Sequence, residues 1–316
     1  MTPPIRLGLV GVGKIARDQH IPSIGRNPAF ELVATASRSA SVDGVARFAT
    51  PAEMLDAMPQ IDAVALCVPP QVRHVMAADA LRRGKHVLLE KPPGATLSEV
   101  AHLADLAETQ GVSLFATWHS RFAPGVAPAR RWLAGRQVRS VRVEWKEDVR
   151  HWHPGQDWIW EPGGLGVFDP GINALSIVTD ILPEPMFLTG GELSFPENRA
   201  APIAASLRFA GASGAAMNAE FDWRQTGPQT WDIHVGTDAG DLLLSSGGAR
   251  LWIDGESVVD QAEAEYDGIY ARFAELVASG GSDVDLAPLR HVADAFMLGR
   301  HLTVEPFHDQ PNRDTA

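Results

Sequence analysis

Cysteine is almost absent. Cys67 is the single thiol among 316 residues, so no intrachain disulfide can close and no thiolate-rich zinc or iron–sulfur site can form. Positive charge is also in deficit: 27 Lys and Arg stand against 39 Asp and Glu, a net charge of −12. Without a run of about five basic residues, nucleic acid and anionic membrane surfaces are excluded as expected partners. No apolar run reaches the roughly 18 residues that a membrane-spanning helix needs. The first residues, MTPPIRLGLVGVG, lack a basic segment followed by a long apolar one, so no signal peptide is expected. Internal repeats and low-complexity segments are missing as well. These absences lead to the expectation of a soluble, cytoplasmic protein.

What remains is an ordinary globular composition, 45% hydrophobic and 21% charged, at a length that suits two domains. The boundary is placed at 119, giving domains 1–119 and 120–316. The first reads as strands alternating with helices. Strands are expected at Ile5–Val10, Phe30–Ala36, Ile61–Val68, His86–Glu90 and Val112–Thr117. The helices between them are Pro51–Met58, Val72–Arg83 and Leu97–Gln110. Such alternation makes an α/β doubly wound parallel sheet, the Rossmann architecture.

Directly after the first strand comes Gly11-Val12-Gly13-Lys14-Ile15-Ala16, a G-x-G-x-x-A pattern. The first glycine permits a tight turn, the second lets backbone approach a pyrophosphate, and the small third residue lets helix pack on strand. Gly11, Gly13, Lys14 and Ile15 are therefore read as cofactor contacts. At the end of the second strand an acidic residue would hold the ribose 2′-hydroxyl of NAD. Ser37 and Arg38 stand there instead and suit the 2′-phosphate of NADP. NADP is the expected cofactor, with NAD tolerated. Cys67, Val68 and Pro69 close the next strand at its carboxyl end, where ligands bind in such sheets. For Cys67 a buried structural thiol is the competing reading.

After His119 the alternation stops. A helix at Val126–Ala134 and a strand at Arg139–Val149 lead into a tryptophan-rich loop. A helical stretch follows, then strands at Phe187–Phe195, Ile203–Phe209, Gly214–Trp223, Thr230–Gly236, Asp241–Ser246 and Arg250–Ile253. Helices at Tyr266–Ala278 and Leu286–Leu302 come last, with a frayed tail at 308–316. This half is expected to be an α+β domain built on a mainly antiparallel sheet. One face of that sheet has too few helices to cover it, so a homodimer or larger homo-oligomer is expected.

The stretch that promises chemistry is EPGGLGVFDPGINALSIVTD. Asp169, Asn173 and Ser176 share one helical face beside the apolar Ile172, Leu175 and Val178. A carboxylate and a carboxamide one turn apart can hold a hydroxyl-rich ligand and accept its proton. The competing reading is structural, with Asp169 as N-cap and Pro170 at the first helical position.

IDAVALCVPPQVRHVMAADALRRGKHVLLEKPPG, with its Glu90-Lys91-Pro92 tripeptide, resembles the Gfo/Idh/MocA oxidoreductases. The resemblance implies that Lys91 reaches nicotinamide and substrate, that Glu90 joins the cofactor set, and that the bond before Pro92 is cis. GGLGVFDPGIN is similar to that family's G-G-x-x-x-x-D-x-G-x-H helix, with Asn173 where many members carry His. Asn cannot serve as a base, so Lys91 and Asp169 are left as candidates for proton removal, with Asn173 as the orienting third catalytic residue. In the family this helix starts near the double glycine, which would put Asp169 inside it.

GKIARDQHIP, LEKPPGATL, FATWHSR, WKEDVRHWHPGQDWIWEPGG and AEFDWR resemble a subgroup that oxidises C1 of L-arabinose or D-galactose. On that resemblance His119, Glu147, Trp152, His153 and Trp231 line a sugar pocket. Indole faces suit the C–H patches of a pyranose, and carboxylate and imidazole suit its hydroxyls. The HWH pair has no third ligand nearby, so no metal is expected. Trp118, Trp132 and Trp252 read as packing residues. The expected activity is that of an NAD(P)-dependent aldose 1-dehydrogenase, oxidising C1 of a small-molecule pyranose (L-arabinose, D-galactose or D-fucose) to the aldonolactone. Its rivals are a sugar or inositol dehydrogenase acting at another carbon and a non-catalytic cofactor-binding sensor.

Overall fold

Six short strands near the start of the chain form one parallel sheet in the order β3-β2-β1-β4-β5-β6. They are β1 (Ile5–Val10), β2 (Phe30–Ala36), β3 (Ala46–Phe48), β4 (Ala63–Leu66), β5 (His86–Leu89) and β6 (Leu114–Ala116). In this computed structural model residues 3–262 and 264–309 are described. Most of the expected tail lies beyond them, and Asp309 pairs with Arg199 at 3.1 Å. No helix among the described residues is long and apolar enough to cross a membrane.

The chain divides into two compact units, Met1–His119 with Ala264–Leu286 and Ser120–Glu263 with Ala287–Ala316. Residues 264–286, read from the sequence as part of the second domain, thus pack with the first.

In the first unit the strands are apolar because helices cover both faces. Leu7, Leu9, Val64, Leu66 and Leu88 are all fully buried, worth about 1.5–3 kcal/mol each. Two helices begin with complete capping boxes, Thr50 with Glu53 before Pro51–Ala57 and Thr96 with Glu99 before Leu97–Gln110. The latter ends at Gly111, which takes a left-handed φ of 64°. The order reverses between β1 and β4, and at such a switch point the carboxyl ends of the strands form a ligand crevice. Helix Glu265–Ser279 is anchored by Arg26–Asp267 at 2.6 Å and by Phe273 stacked on Phe30 at 5.9 Å.

The second unit carries nine strands: β7 (Val138–Lys146), β8 (Met186–Pro196), β9 (Ala204–Gly211), β10 (Ala216–Asp222), β11 (Thr230–Thr237), β12 (Gly240–Ser245), β13 (Arg250–Ile253), β14 (Glu256–Asp260) and β15 (Gly299–Val304). Their order is β14-β13-β12-β11-β7-β10-β9-β8-β15. Within this sheet, among the described residues, only the β7–β10 and β8–β15 pairs are parallel. The expected helix 286–302 is corrected: it covers Ala287–Leu298, and the chain continues as β15.

Burial along β10 alternates strictly, the signature of a sheet with one packed face. Helix Phe168–Ile181 packs there through Phe168 against Phe221 at 5.8 Å, and helix Ala287–Leu298 through His291 against Phe209 at 5.5 Å. The opposite face is polar. Arg142 is flanked by Asn218 and His234 on the adjacent strands, and Glu144 by Glu220 and Asp232. The sequence reading emphasised apolar alternation on such strands, but those apolar residues point to the helices. A cavity of about 630 Å³ on the polar face, lined by Arg142, Asn218, His234 and Trp252 among others, includes none of the expected catalytic, sugar or cofactor contacts.

Candidate active site

At the crevice of the first unit, Gly11 donates its N–H to Ala36 O at 2.9 Å, and Cys67 donates to Val10 O at 2.8 Å. Gly11 has φ +89°, and a Cβ there would lie 2.9 Å from Val68 Cγ1 and 3.0 Å from the Cys67 carbonyl. Glycine is therefore required twice over, by conformation and by space. A Cβ on Gly13 would meet nothing within 4 Å, so open room stands where a pyrophosphate would approach. Arg38 is exposed just beyond β2, beside a half-buried Ser37. These features fit a dinucleotide. Helical residues 14–26 include a π-helical turn at Ala16–His20, a distortion common at functional sites. Lys14 pairs with Asp18 one turn on, which engages its ammonium within the helix, and Ile15 is 37% exposed. Cys67, Val68 and Pro69 are half-buried just after β4.

Lys91 follows β5, and the Lys91–Pro92 bond is cis. Three backbone carbonyls around it, those of Val68, Glu90 and Pro92, accept hydrogen bonds from the buried guanidinium of Arg73. Glu90 is only 3% exposed. Its Oε2 accepts the Lys91 N–H at 2.6 Å, and its Oε1 accepts from Tyr266 Oη at 2.6 Å and meets His20 Nε2 at 3.2 Å. The other His20 nitrogen lies 2.8 Å from Tyr270 Oη. The carboxylate of Glu90, a residue expected among the cofactor contacts, lies in this buried cluster and is bonded to the Lys91 backbone.

Burial pushes the Glu90 carboxyl up, but the hydrogen bond and charge of His20, the charge of His119 and the Tyr266 hydroxyl outweigh it and hold the pKa at about 2. Burial likewise opposes charge on His20, yet Cys67, Tyr270 and Glu90 raise its pKa well above the ordinary imidazole value. His119 follows the same rule: burial lowers its pKa, its Glu265 partner and then Glu90 raise it further, Lys91 opposes, and the net direction is up. Burial and then His20 act in opposite senses on Tyr270, which is pushed up to about 12. Buried charges on this scale persist only when partnered, and here each finds its counter-charge.

In the second unit, helix Phe168–Ile181 is apolar almost all round and nearly wholly buried, as a core helix must be. Its N-cap is Val167, with no side-chain cap, and Asp169 is the second helical residue. The capping reading of Asp169 is corrected, because the helix starts two residues earlier, at Phe168 rather than Pro170. That start is forced by Leu165 at φ 69° and Gly166 at φ 56°. Leu165 is a strained conformation for a branched residue, the kind that functional sites retain. A Cβ on Gly166 would sit 2.4 Å from Pro202 O.

Asp169 is 2% exposed and Glu147 3%. Glu147 Oε1 accepts from Trp223 Nε1 at 3.2 Å and Oε2 from Trp231 Nε1 at 2.9 Å. His153 Nε2 bridges the two acids, 3.5 Å from Asp169 Oδ2 and 3.8 Å from Glu147 Oε1. Trp231 packs against Trp152 at 5.1 Å and Trp145 at 5.9 Å. Asn173 lies one turn from Asp169, half-buried. Ser176, on the same face, donates its hydroxyl to the Asn173 carbonyl at 2.7 Å. Among the described residues no group of three or more His, Cys, Asp or Glu is arranged to hold a metal ion.

Of the residues read from the sequence as sugar contacts, Glu147, Trp152, His153 and Trp231 thus gather with Asp169 in one unit. His119 belongs to the other, bonded through Nδ1 to Glu265 and stacked on Tyr266 at 5.5 Å. Trp118 is core, its Nε1 donating to Asp285 O at 2.9 Å. Sequence reasoning missed His20, Arg73, Tyr266, Tyr270 and Trp223. His20 and Trp223 do sit inside the GKIARDQHIP and AEFDWR runs, a signal that was there to use. Nothing local marks Arg73 or the two tyrosines.

Residues 5–117 match the Gfo/Idh/MocA description, an oxidoreductase family with an NAD-binding Rossmann fold. Over 306 residues the chain is 48% identical to galactose 1-dehydrogenase of Pseudomonas fluorescens, spanning 97% of this chain and 99% of that protein. The chain belongs to the Gfo/Idh/MocA family. It is therefore an NAD(P)-dependent oxidoreductase. Among solved members, D-galactose-1-dehydrogenase from Rhizobium etli is 63% identical with a TM-score of 0.94, covering 98% of this chain and 99% of that one. A 3-ketoreductase from Actinomadura kijaniata shares the family fold at 20% identity, with a TM-score of 0.81 over 95% of this chain and 99% of its own.

Proposed function

We propose that the chain oxidises C1 of an aldopyranose to the aldonolactone, with D-galactose and L-arabinose as its substrates. The observation that carries this reading is the cluster in the second unit. Two buried carboxylates and an imidazole stand beside indole rings, which suits a ligand that is hydroxylated on its edges and apolar on its faces. Both relatives named galactose 1-dehydrogenase align with nearly the whole chain, which supports the same choice.

In this reading Asp169 removes the C1 hydroxyl proton while Asn173 and Glu147 orient hydroxyl groups. A nicotinamide cofactor, when bound, would supply the hydride acceptor for C1. Lys91, with its backbone fixed by Glu90, supplies positive charge to the developing alkoxide. D-Galactose and L-arabinose differ only at C5. Pocket contacts to such a group separate substrates by about 1–3 kcal/mol, so both turn over.

Formation of reduced nicotinamide, followed by absorbance with D-galactose, L-arabinose, D-glucose and myo-inositol, tests the proposal. The two substrates named should react and yield lactone. Reaction with myo-inositol alone would assign another carbon, and no reaction with any polyol would assign a sensor.

NADP is the proposed preferred cofactor, on the strength of Ser37 and Arg38. Arg38→Ala should weaken NADP binding by about 1.5–3 kcal/mol, the range for hydrogen bonds to charged groups, and leave NAD nearly unchanged. Fluorescence titration of both cofactors reads this directly. Equal losses would show that Arg38 does not meet the 2′-phosphate.

A further inference from the structure

We propose that His153 takes over the proton that Asp169 removes from the sugar and passes it to water. The inference rests on the C1 oxidation proposed above. It starts from a difficulty in the geometry. Asp169 is 2% exposed, so a proton gained there must leave before the next turnover, and a buried carboxylic acid exchanges poorly with solvent. Asn173, one turn on, has no titratable atom.

An imidazole is in place from a different element. His153 Nε2 lies 3.5 Å from Asp169 Oδ2, at the outer edge of hydrogen-bonding reach. Histidine is the side chain whose ordinary titration lies near neutral pH, so it can both gain and lose a proton within a turnover. Its side chain keeps 16% of its surface in solvent, against 3% for Asp169 and 4% for Glu147. The imidazole is thus the wettest of the three. Glu147 is less suited to storing the proton, because both its oxygens are already engaged by indole N–H groups. At 3.8 Å it is a standing negative charge that steadies the imidazolium. Ring packing against Trp223 at 5.4 Å keeps the imidazole in register. On adjoining segments Asp148 pairs with Arg150 at 3.4 Å and Asp222 with Arg224 at 2.7 Å.

The proton count closes. Asp169 takes the hydroxyl proton, the O–H electron pair becomes the second C1–O bond, and the hydride goes to the nicotinamide. The proton then moves from Asp169 Oδ2 to His153 Nε2, the unprotonated nitrogen of the neutral ring, and leaves to water from that same nitrogen, since Nδ1 is buried, so both side chains end as they began. His153 acts through Asp169, so it is a positioning and relay residue.

The test uses the full-length protein with D-galactose and NADP. In His153→Ala, kcat should fall about tenfold to hundredfold, the low end of what proton-transfer groups contribute, with a smaller change in KM. Added imidazole should restore much of that loss. His153→Gln keeps the bulk if the smaller residue lets the loop collapse. Its kcat should fall similarly, with a larger solvent deuterium isotope effect than the parent. A raised KM with kcat intact would make His153 a sugar contact only and overturn the relay. A kcat loss that imidazole leaves unrepaired, with no change in isotope effect, would overturn it as well. Failure of the parent enzyme to oxidise any aldose would instead sink the C1 reaction itself.

Discussion

Asp169→Asn is expected to lose turnover by about 10²–10⁴, the usual contribution of a general base, with its melting temperature close to that of the parent. Asparagine keeps the shape and offers an acceptor oxygen, yet cannot take a proton at ordinary pH. Stability should hold because Asp169 is not the cap of its helix: Val167 occupies that position, with no side-chain bond to lose. Removing a negative charge from the first helical turn costs about 0.3–1 kcal/mol of dipole interaction, and the relief of a buried charge offsets it. Asn173→Ala makes the internal comparison and should cost less, since only an orienting group disappears. Steady-state kinetics and a thermal melt on the same preparations decide the matter. Near-normal turnover in Asp169→Asn would move the base role to Lys91.

Lys91→Ala carries the second large effect. Removing one preorganised charge or donor from a developing oxyanion costs about 10²–10³ in kcat. The loop itself should survive, because what fixes it is backbone: Glu90 Oε2 holds the Lys91 N–H at 2.6 Å, and Arg73 binds the carbonyls on either side. Cofactor affinity should therefore change much less than kcat. If Lys91 and Asp169 serve one proton and one alkoxide, the double variant should be hardly worse than the poorer single one, since groups acting as a unit are strongly non-additive. Effects that multiply would instead mean that the two residues act in separate steps.

Local signals account for what was readable in advance. The β1 strand and the turn after it follow from apolar residues running into Gly11 and Gly13, and both capping boxes lie within four residues of chain. Helix Leu97–Gln110 falls where its cap and Gly111 place it. β3 escaped notice because it is three residues long and mostly exposed, too short for any period to show. At Gly299 the chain leaves its helix and becomes β15, paired in parallel with β8 from Gly191 to Pro196. No periodicity in GRHLTV announces that, since the partner strand lies about a hundred residues earlier.

The candidate site divides in the same way. Asp169, Glu147, His153 and Lys91 could be named from residue chemistry, helical spacing and family resemblance. Their surroundings could not. Glu147 accepts from Trp223 and Trp231, which are 76 and 84 residues away in the chain. His20 reaches Tyr270 across 250 residues, through a helix that the sequence reading had assigned to the wrong domain. By itself the sequence determined the chemical types available, the local strand and helix starts, and the glycines that a phosphate-binding turn requires, because each depends on neighbours within a few residues. Tertiary structure alone decided which charges meet. A buried carboxylate or imidazole is tolerable only beside a partner, and the chain delivers those partners from strands and helices remote in sequence.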